Sequence, residues 1–157
     1  MSSMRGFTLL GWVLAVALGG LLAVGSTLSA RQGALRVHKR ERTQMMDAIA
    51  SQLKEYVQGS DFSEPVTGPW NPPLPAMAVD RAFERPGGWQ KLSVVPPGFV
   101  YYSYWFYAQR TPTLSYFVLQ AEGDLDGNGA ANYRTQQWNL SGGQWALVVD
   151  AETGDAW

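Results

Sequence analysis

Residues 7–30, FTLLGWVLAVALGGLLAVGSTLSA, decide how the rest of this chain is arranged. The stretch has 24 residues and contains no charged side chain. As an α-helix it would be roughly 36 Å long, which is enough to cross the hydrocarbon core of a bilayer. A cleaved secretory signal has a shorter apolar core, of about 7–15 residues, followed by a small-residue cleavage site. The sequence therefore predicts a transmembrane helix over residues 7–30.

A short basic leader, MSSMRG at residues 1–6, precedes this stretch. The junction RGFTLL at residues 5–10 resembles the class III signal of type IV prepilins and type II secretion pseudopilins. In that signal a basic residue and a glycine precede an aromatic residue that opens a long apolar helix. The resemblance implies that a prepilin peptidase cleaves between Gly6 and Phe7, and that the new terminus at Phe7 is N-methylated. An ordinary N-terminal membrane anchor is the alternative.

Small residues recur along the apolar stretch. The fifth position after the implied cleavage is Gly11, where the family usually has a glutamate that meets the terminal amine of a neighbouring subunit. Gly11 also begins a series of small residues spaced four apart, which places them on one stripe of a helix. The series is Gly11, Ala15, Gly19, Ala23 and Thr27. Such stripes let membrane helices approach closely, so we expect packing against a partner helix in a filament. Small residues are also common in membrane spans generally, and the spacing leaves that alternative open.

A basic segment follows the apolar stretch directly. Its basic residues are Arg31, Arg36, Lys39, Arg40 and Arg42, and its one acid is Glu41. By the positive-inside rule these charges would keep the following domain in the cytoplasm. The leader motif implies the opposite side, and we follow it: the expectation is a single-pass inner-membrane protein whose domain lies outside the cytoplasm, then in a periplasmic or cell-surface filament. Aromatic residues are not interleaved with the charges, so nucleic acid is not an expected partner.

An amphipathic pattern continues the helix beyond the membrane stretch. Apolar residues recur at spacings of three and four over residues 31–58, which predicts a helix that packs on a domain. They are Leu35, Met45, Met46, Ile49, Leu53, Tyr56 and Val57, with Arg42 as the polar exception. Gly59 is placed to end this helix.

The remaining chain changes pattern twice. Residues 59–91 are rich in proline and glycine, which predicts an extended connector without helix or central strand. Residues 92–157 show a period of two, which predicts an antiparallel sheet of about four strands. The predicted strands are a short one over residues 92–95 and four longer ones over residues 99–108, 114–121, 133–140 and 144–150.

The second of these strands, residues 99–108, is dense in aromatic side chains. Their alternation predicts rings that pack across strands over the helix. An exposed face that adheres to a surface or stacks on sugars is the alternative. Alternation does not say which rings point outward.

The segment GDLDGNG at residues 123–129 carries oxygen ligands at regular spacing. Asp124, Asp126 and Asn128 match the first, third and fifth ligands of a calcium loop, and Gly129 takes the glycine position of the sharp turn. The twelfth position lacks the bidentate glutamate of an EF-hand. A hairpin turn built by Asp, Asn and Gly is the alternative, and Ca²⁺ is the one cofactor that the sequence suggests.

Catalytic signals are weak. The chain has no cysteine and one histidine, and it contains no nucleophile elbow or phosphate-binding loop, so an enzyme is not expected. The acidic residues near the end, Asp150, Glu152 and Asp155, lie in a polar tail where solvation is expected.

The resemblance implies an α+β, pilin-like fold with a long N-terminal helix, transmembrane and then amphipathic, packed on an antiparallel β-sheet. It implies a structural role as a minor pilin or pseudopilin that is incorporated into or primes a type IV pilus or a type II secretion pseudopilus. The expected partners are other pilins, the prepilin peptidase, the inner-membrane assembly platform and the membrane itself. A membrane-anchored, calcium-dependent binding or adhesion module that does not polymerise is the alternative.

Overall fold

A computed structural model of this protein describes residues 9–60, 64–75, 79, 81–94, 99–124 and 127–154, with the side chains of the first helix described from residue 32 onward. The chain divides into two compact units, Met1–Val37 and His38–Trp157. The helix α1 (Leu9–Gly59) provides the described residues of the first unit and the beginning of the second. Among the residues whose side chains are described, which begin at residue 32 of α1, no helix combines the length and the hydropathy that crossing a membrane requires.

The second unit adds two antiparallel sheets to the last part of α1. Its strands in chain order are β1 (Val66–Asn71), β2 (Arg81–Ala82), β3 (Phe99–Val100), β4 (Ser103–Arg110), β5 (Ser115–Gly123), β6 (Asn132–Ser141) and β7 (Gln144–Thr153), with a 3-10 helix over Gly87–Lys91. Five strands form one sheet in the order β1-β4-β5-β6-β7, and β2 pairs with β3 in a small second sheet.

The core lies between α1 and one face of the five-stranded sheet. The helix contributes fully buried side chains at the predicted spacing: Met46, Ile49, Leu53 and Val57. The sheet contributes alternate residues of β4 and β5: Tyr104, Phe106, Ala108, Phe117, Leu119 and Ala121. The protein is therefore α+β, with one helix packed on an antiparallel sheet, and this part of the fold prediction is confirmed.

The prediction for the connector over residues 59–91 was wrong in part. Residues 66–71 form β1, which pairs antiparallel with β4 at one edge of the large sheet. Pro69 is compatible with this position because an edge strand needs ladder donors on only one side. The sheet consequently has five strands where about four were expected.

Two strand predictions near the start of the sheet also need correction. Residues 92–94 do not form the strand predicted over residues 92–95: a 3-10 helix ends at Lys91, and the N–H of Leu92 caps it by donating to the carbonyl oxygen of Trp89 at 3.2 Å. Residue 95 lies outside the described residues. The strand predicted over residues 99–108 is divided into β3 and β4, which belong to different sheets. The three later predictions are confirmed as β5, β6 and β7.

Candidate functional site

Several predicted site residues lie where the structure does not test their roles. Gly6 and Phe7, the predicted cleavage and methylation positions, lie outside the described residues. The predicted helix-packing residues lie on α1, in the part whose side chains are not described: Gly11, Ala15, Gly19 and Ala23. Cleavage and helix packing therefore stay predictions.

The predicted calcium loop follows β5. Backbone N–H groups of this loop bind the side chain of Asp124, the first predicted ligand. The carboxylate of Asp124 accepts three hydrogen bonds from backbone N–H groups: Oδ1 from Gly127 at 2.9 Å and Asn128 at 3.2 Å, and Oδ2 from Gly129 at 2.9 Å. Gly127 and Gly129 have φ values of +69° and +85°, which favour glycine. Asp124 is buried, so these bonds satisfy a carboxylate that has little access to water. The result is a tight turn closed by an aspartate side chain.

Of the other two predicted ligands, the structure describes only Asn128. Asn128 is exposed, and its Oδ1 accepts a hydrogen bond from the backbone N–H of Ala130 at 2.6 Å. Asp126 lies outside the described residues. Within the part of the chain that is described, no three histidine, cysteine or carboxylate side chains are grouped so that they could hold a metal ion. Asp124 therefore has a role in the turn, and calcium binding stays a prediction.

A buried arginine joins α1 to β6 and β7, the two strands at one edge of the large sheet. Arg42 is 3% exposed; its Nη1 donates to Oδ1 of Asn132 at 2.5 Å, and its Nη2 donates to Oε2 of Glu152 at 2.9 Å. Asn132 lies on β6 and Glu152 on β7, so one guanidinium joins α1 to two strands. Lys39, nearly one helical turn before Arg42, lies 4.0 Å from the same carboxylate. We call Arg42, Asn132 and Glu152 the arginine clamp.

The electrostatics of the arginine clamp favour its charged form. Partial burial by itself would raise the pKa of Glu152, but the hydrogen bond and the positive charge of Arg42 lower that pKa overall. The guanidinium also lies 5.4 Å from the ring centre of Tyr102, and burial raises the pKa of the Tyr102 hydroxyl well above its usual range. The permanently charged guanidinium and the ionised carboxylate therefore form a charge-assisted pair that links α1 to β7.

A second ion pair lies beside the arginine clamp on the same two strands. Arg134 contacts Asp150 through two hydrogen bonds, from Nε at 3.0 Å and from Nη2 at 2.9 Å. The hydrogen bond from Arg134 lowers the pKa of Asp150. Asp150 and Glu152 are exposed, as expected of solvated residues, but they lie on β7 instead of in a tail, and each has an arginine partner. Asp155 lies outside the described residues. The available signal was Arg42, a charged residue within an otherwise apolar helical stripe.

The five-stranded sheet has aromatic side chains on both faces, and the structure separates them. On the face toward α1 the rings are fully buried: Tyr104, Phe106 and Phe117. On the opposite face, which we call the outer face, the rings are partly exposed: Trp105, Tyr107 and Tyr116. Trp70 of the edge strand β1 lies beside Trp105, with 6.4 Å between the ring centres. Packing over the helix and exposure at the surface are therefore both correct, for alternate residues of the same strand.

The described residues thus contain three features of interest: a turn closed by Asp124, the arginine clamp, and the outer face of the sheet. No protein-family model, no curated protein and no solved structure matches this chain. Its function is therefore inferred from its own residues.

Proposed function

We propose that this chain is a minor pilin or pseudopilin, a structural subunit that is incorporated into or primes a type IV pilus or a type II secretion pseudopilus. The observation that carries the proposal is the organisation of α1. This helix spans Leu9–Gly59, so it includes most of the apolar stretch behind the RGFTLL junction, and its last part packs on an antiparallel sheet. A subunit that polymerises through an apolar helix and displays a globular domain requires one helix with two segments. The first is apolar and contacts other subunits, and the second packs on the domain.

The domain is attached to α1 at two separate places, which supports the proposal. Near the start of the second unit, Arg42 binds Glu152 of β7. Near the end of the helix, Nη1 of Arg110 donates to the carbonyl oxygens of Val57 at 3.3 Å and of Ser60 at 2.5 Å. Arg42 and Val57 are roughly 22 Å apart along a helix. Attachment at both places resists peeling of the domain from a helix that is held in a filament.

The proposal assigns a function to each part of the N-terminal sequence. Residues 1–6 form the leader, and cleavage after Gly6 frees an amine at Phe7 that becomes methylated. Residues 7–30 hold the subunit in the inner membrane before assembly. The small residues from Gly11 to Ala23 then contact the helices of neighbouring subunits. Other pilins, the prepilin peptidase and the assembly platform are the corresponding partners.

Part of the basic segment has partners within the domain, which bears on the side of the membrane that the domain occupies. Arg42 is buried in the arginine clamp, and Lys39 lies near the same carboxylate, Glu152. Both side chains therefore contribute to the folded domain, and they would do so on either side of the membrane. This contribution weakens the case for a cytoplasmic domain and favours the orientation that the leader implies.

Mass spectrometry of the N-terminus tests the proposal. The full chain is expressed with and without a prepilin peptidase, isolated from membranes, and analysed for intact mass and N-terminal sequence. The expected mature chain begins at N-methylated Phe7, and only when the peptidase is present. Gly6→Val should abolish cleavage because it replaces the glycine of the signal. Gly11→Ala, a substitution of a nearby glycine outside the signal, should be cleaved normally.

The contrary result would be an uncleaved terminus in both strains. That result would discard processing of the pilin type and favour an ordinary anchor. Cleavage that persists in Gly6→Val would likewise assign the event to another protease.

A further inference from the structure

The outer face of the sheet carries a regular array of side chains on its three central strands, β4, β5 and β6. The register places them in three rows that run across the strands: Trp105–Gln120–Thr135, Tyr107–Val118–Gln137 and Gln109–Tyr116–Asn139. All nine side chains are partly exposed. We call these nine residues the aromatic–amide array. With usual strand spacings, it measures about 10 Å across the strands and about 13 Å along them.

Hydrogen bonds within the array hold its side chains in position. The hydroxyl groups of Tyr107 and Tyr116 both donate to Oε1 of Gln109, at 3.1 and 3.0 Å. Gln137 donates to Asn139 at 3.2 Å. These bonds use only one of the two polar groups of each amide. The array therefore presents rings of restricted orientation beside amide groups that have further capacity for hydrogen bonds.

The array has a distinctive chemical composition for a protein surface. Three of its members are aromatic, four are amides, one is Thr135 and one is the aliphatic Val118, and none of the nine is charged. The adjoining row along the strands includes Glu122, a residue that is 8% exposed and whose carboxyl pKa is raised by burial. Trp70, beside Trp105, extends the ring surface toward the β1 edge.

We propose that the aromatic–amide array binds an uncharged polysaccharide, an extended chain of hexopyranose units. The apolar C–H faces of the sugar rings would stack on Trp105, Tyr107 and Tyr116, and the sugar hydroxyl groups would bond to the neighbouring amides. The absence of charge from the nine side chains disfavours nucleic acid and anionic polymers, which require Lys or Arg. An array spread over three neighbouring strands suits an extended chain better than a compact ligand.

Polysaccharide binding goes beyond the proposed role in a filament and does not depend on it. The array belongs to the second unit, and its residues are separate in sequence from the leader and the apolar stretch. Binding and N-terminal cleavage are measured separately, so either proposal can fail while the other stands.

A depletion assay with insoluble polysaccharide tests the proposal. The full chain is solubilised in a polyoxyethylene detergent, because a sugar-headed detergent would compete for the array. It is then mixed with microcrystalline cellulose or with chitin, and the unbound fraction is measured over a range of protein concentrations. Beads of alginate, an anionic polysaccharide, serve as the contrasting probe. Saturable binding to cellulose or chitin at moderate salt, and no binding to alginate, is the expected result.

Substitutions test whether the polysaccharide binds at the array. Trp105→Ala and Tyr107→Ala should each weaken binding at least tenfold. Phe99→Ala removes a ring that is 65% exposed but lies on the small β2–β3 sheet, and it should bind like the wild type. A double variant, Gln120→Glu with Gln137→Glu, keeps side-chain size and adds two charges, so it tests the array even if a ring deletion impairs folding. Circular dichroism and Tm establish that each variant is folded.

Three outcomes would overturn the proposal. The wild type could bind neither cellulose nor chitin. It could bind alginate in a salt-dependent manner and neither neutral polymer. Finally, folded Trp105→Ala and the folded double glutamate variant could both bind like the wild type, which would place binding elsewhere on the chain.

Discussion

The guanidinium of Arg42 and the carboxylate of Glu152 form an ion pair of 2.9 Å that joins α1 to β7 across 110 positions of sequence. The two partners are unequal, since the side chain of Arg42 is 4% exposed and that of Glu152 is 42% exposed. Arg42 therefore depends on the pair far more than Glu152 does, because a buried charge without a partner is costly.

Removal of Glu152 should destabilise the second unit. Glu152→Leu leaves the buried guanidinium of Arg42 with Asn132 as its remaining clamp partner. Loss of one partner of a buried pair costs about 3–5 kcal/mol, and the partial exposure of Glu152 lowers the expected loss to about 2 kcal/mol. Urea unfolding of the full chain in detergent measures the change. Glu55→Leu, at an exposed glutamate of α1, is the control and should change stability by less than about 0.5 kcal/mol.

The two acidic residues of β7 should make stability depend on pH in the acid range. The pKa values of Asp150 and Glu152 are lowered in the folded chain, so their stabilisation is complete above their ordinary values of 3.8 and 4.5. It is lost as the pH falls through the lowered values. The raised pKa of Glu122 acts in the opposite sense, since its contribution declines as the pH rises past 4.5.

A double variant isolates the contribution of Asp150 and Glu152 to the pH dependence of stability. Asp150→Asn with Glu152→Gln should show a smaller loss of unfolding free energy than the wild type between about pH 7 and about pH 3. Glu55→Gln should follow the wild type. Equal acid losses in the wild type and the double variant would mean that these two carboxylates do not contribute.

Gly68 of β1 should not tolerate a side chain. A Cβ at this position would collide with the ring of Phe106 and lie 2.9 Å from the ring of Trp89. Those two rings pack edge to face with 4.8 Å between their centres, so neither has room to move. Gly68→Ala should cost about 1–3 kcal/mol, measured as a lower urea midpoint. Gly59→Ala, where a Cβ meets open space, should leave the midpoint nearly unchanged, and equal midpoints for both variants would contradict the packing described for β1.

Substitutions in the loop after β5 distinguish a structural role of Asp124 from calcium binding. Asp124→Ala leaves three backbone N–H groups without their acceptor, so it should lower stability by about 1–3 kcal/mol even in the presence of a chelator. Calcium binding predicts in addition that Ca²⁺ raises the Tm of the wild type and leaves the Tm of Asp126→Ala unchanged. If Ca²⁺ does not shift the wild-type Tm, the loop is a turn and the calcium-dependent module is discarded.

Gly11 should limit how often this subunit enters a filament. If incorporation depends on a carboxylate that meets the amine of a neighbouring subunit, Gly11→Glu should raise the copy number in sheared filaments. Quantitative immunoblotting measures the copy number against the major subunit. Gly11→Gln has similar size without the charge and should match the wild type. An unchanged copy number in Gly11→Glu would remove the explanation based on charge.

Local patterns were sufficient for the elements whose side chains repeat with a clear period. The three-and-four spacing of Met46, Ile49 and Leu53 predicted the helical core stripe, and alternation predicted β5, β6 and β7. The segment over residues 66–71 has no such signal, because its proline and glycine are typical of loops. It becomes a strand because β4 offers its backbone N–H and C=O groups as partners. Backbone pairing over that separation in sequence is not encoded in local composition.

Composition and periodicity thus specify α1, the antiparallel sheet and the turn at Asp124, since neighbouring side chains and local hydrogen bonds are enough to form them. Tertiary contacts decide the rest. They place Arg42 opposite Glu152, and they turn Trp105, Tyr107 and Tyr116 away from the helix that covers Tyr104 and Phe106. Alternation divides a strand into two sets of side chains, but only the packing of α1 against one face determines which set is buried and which set faces solvent.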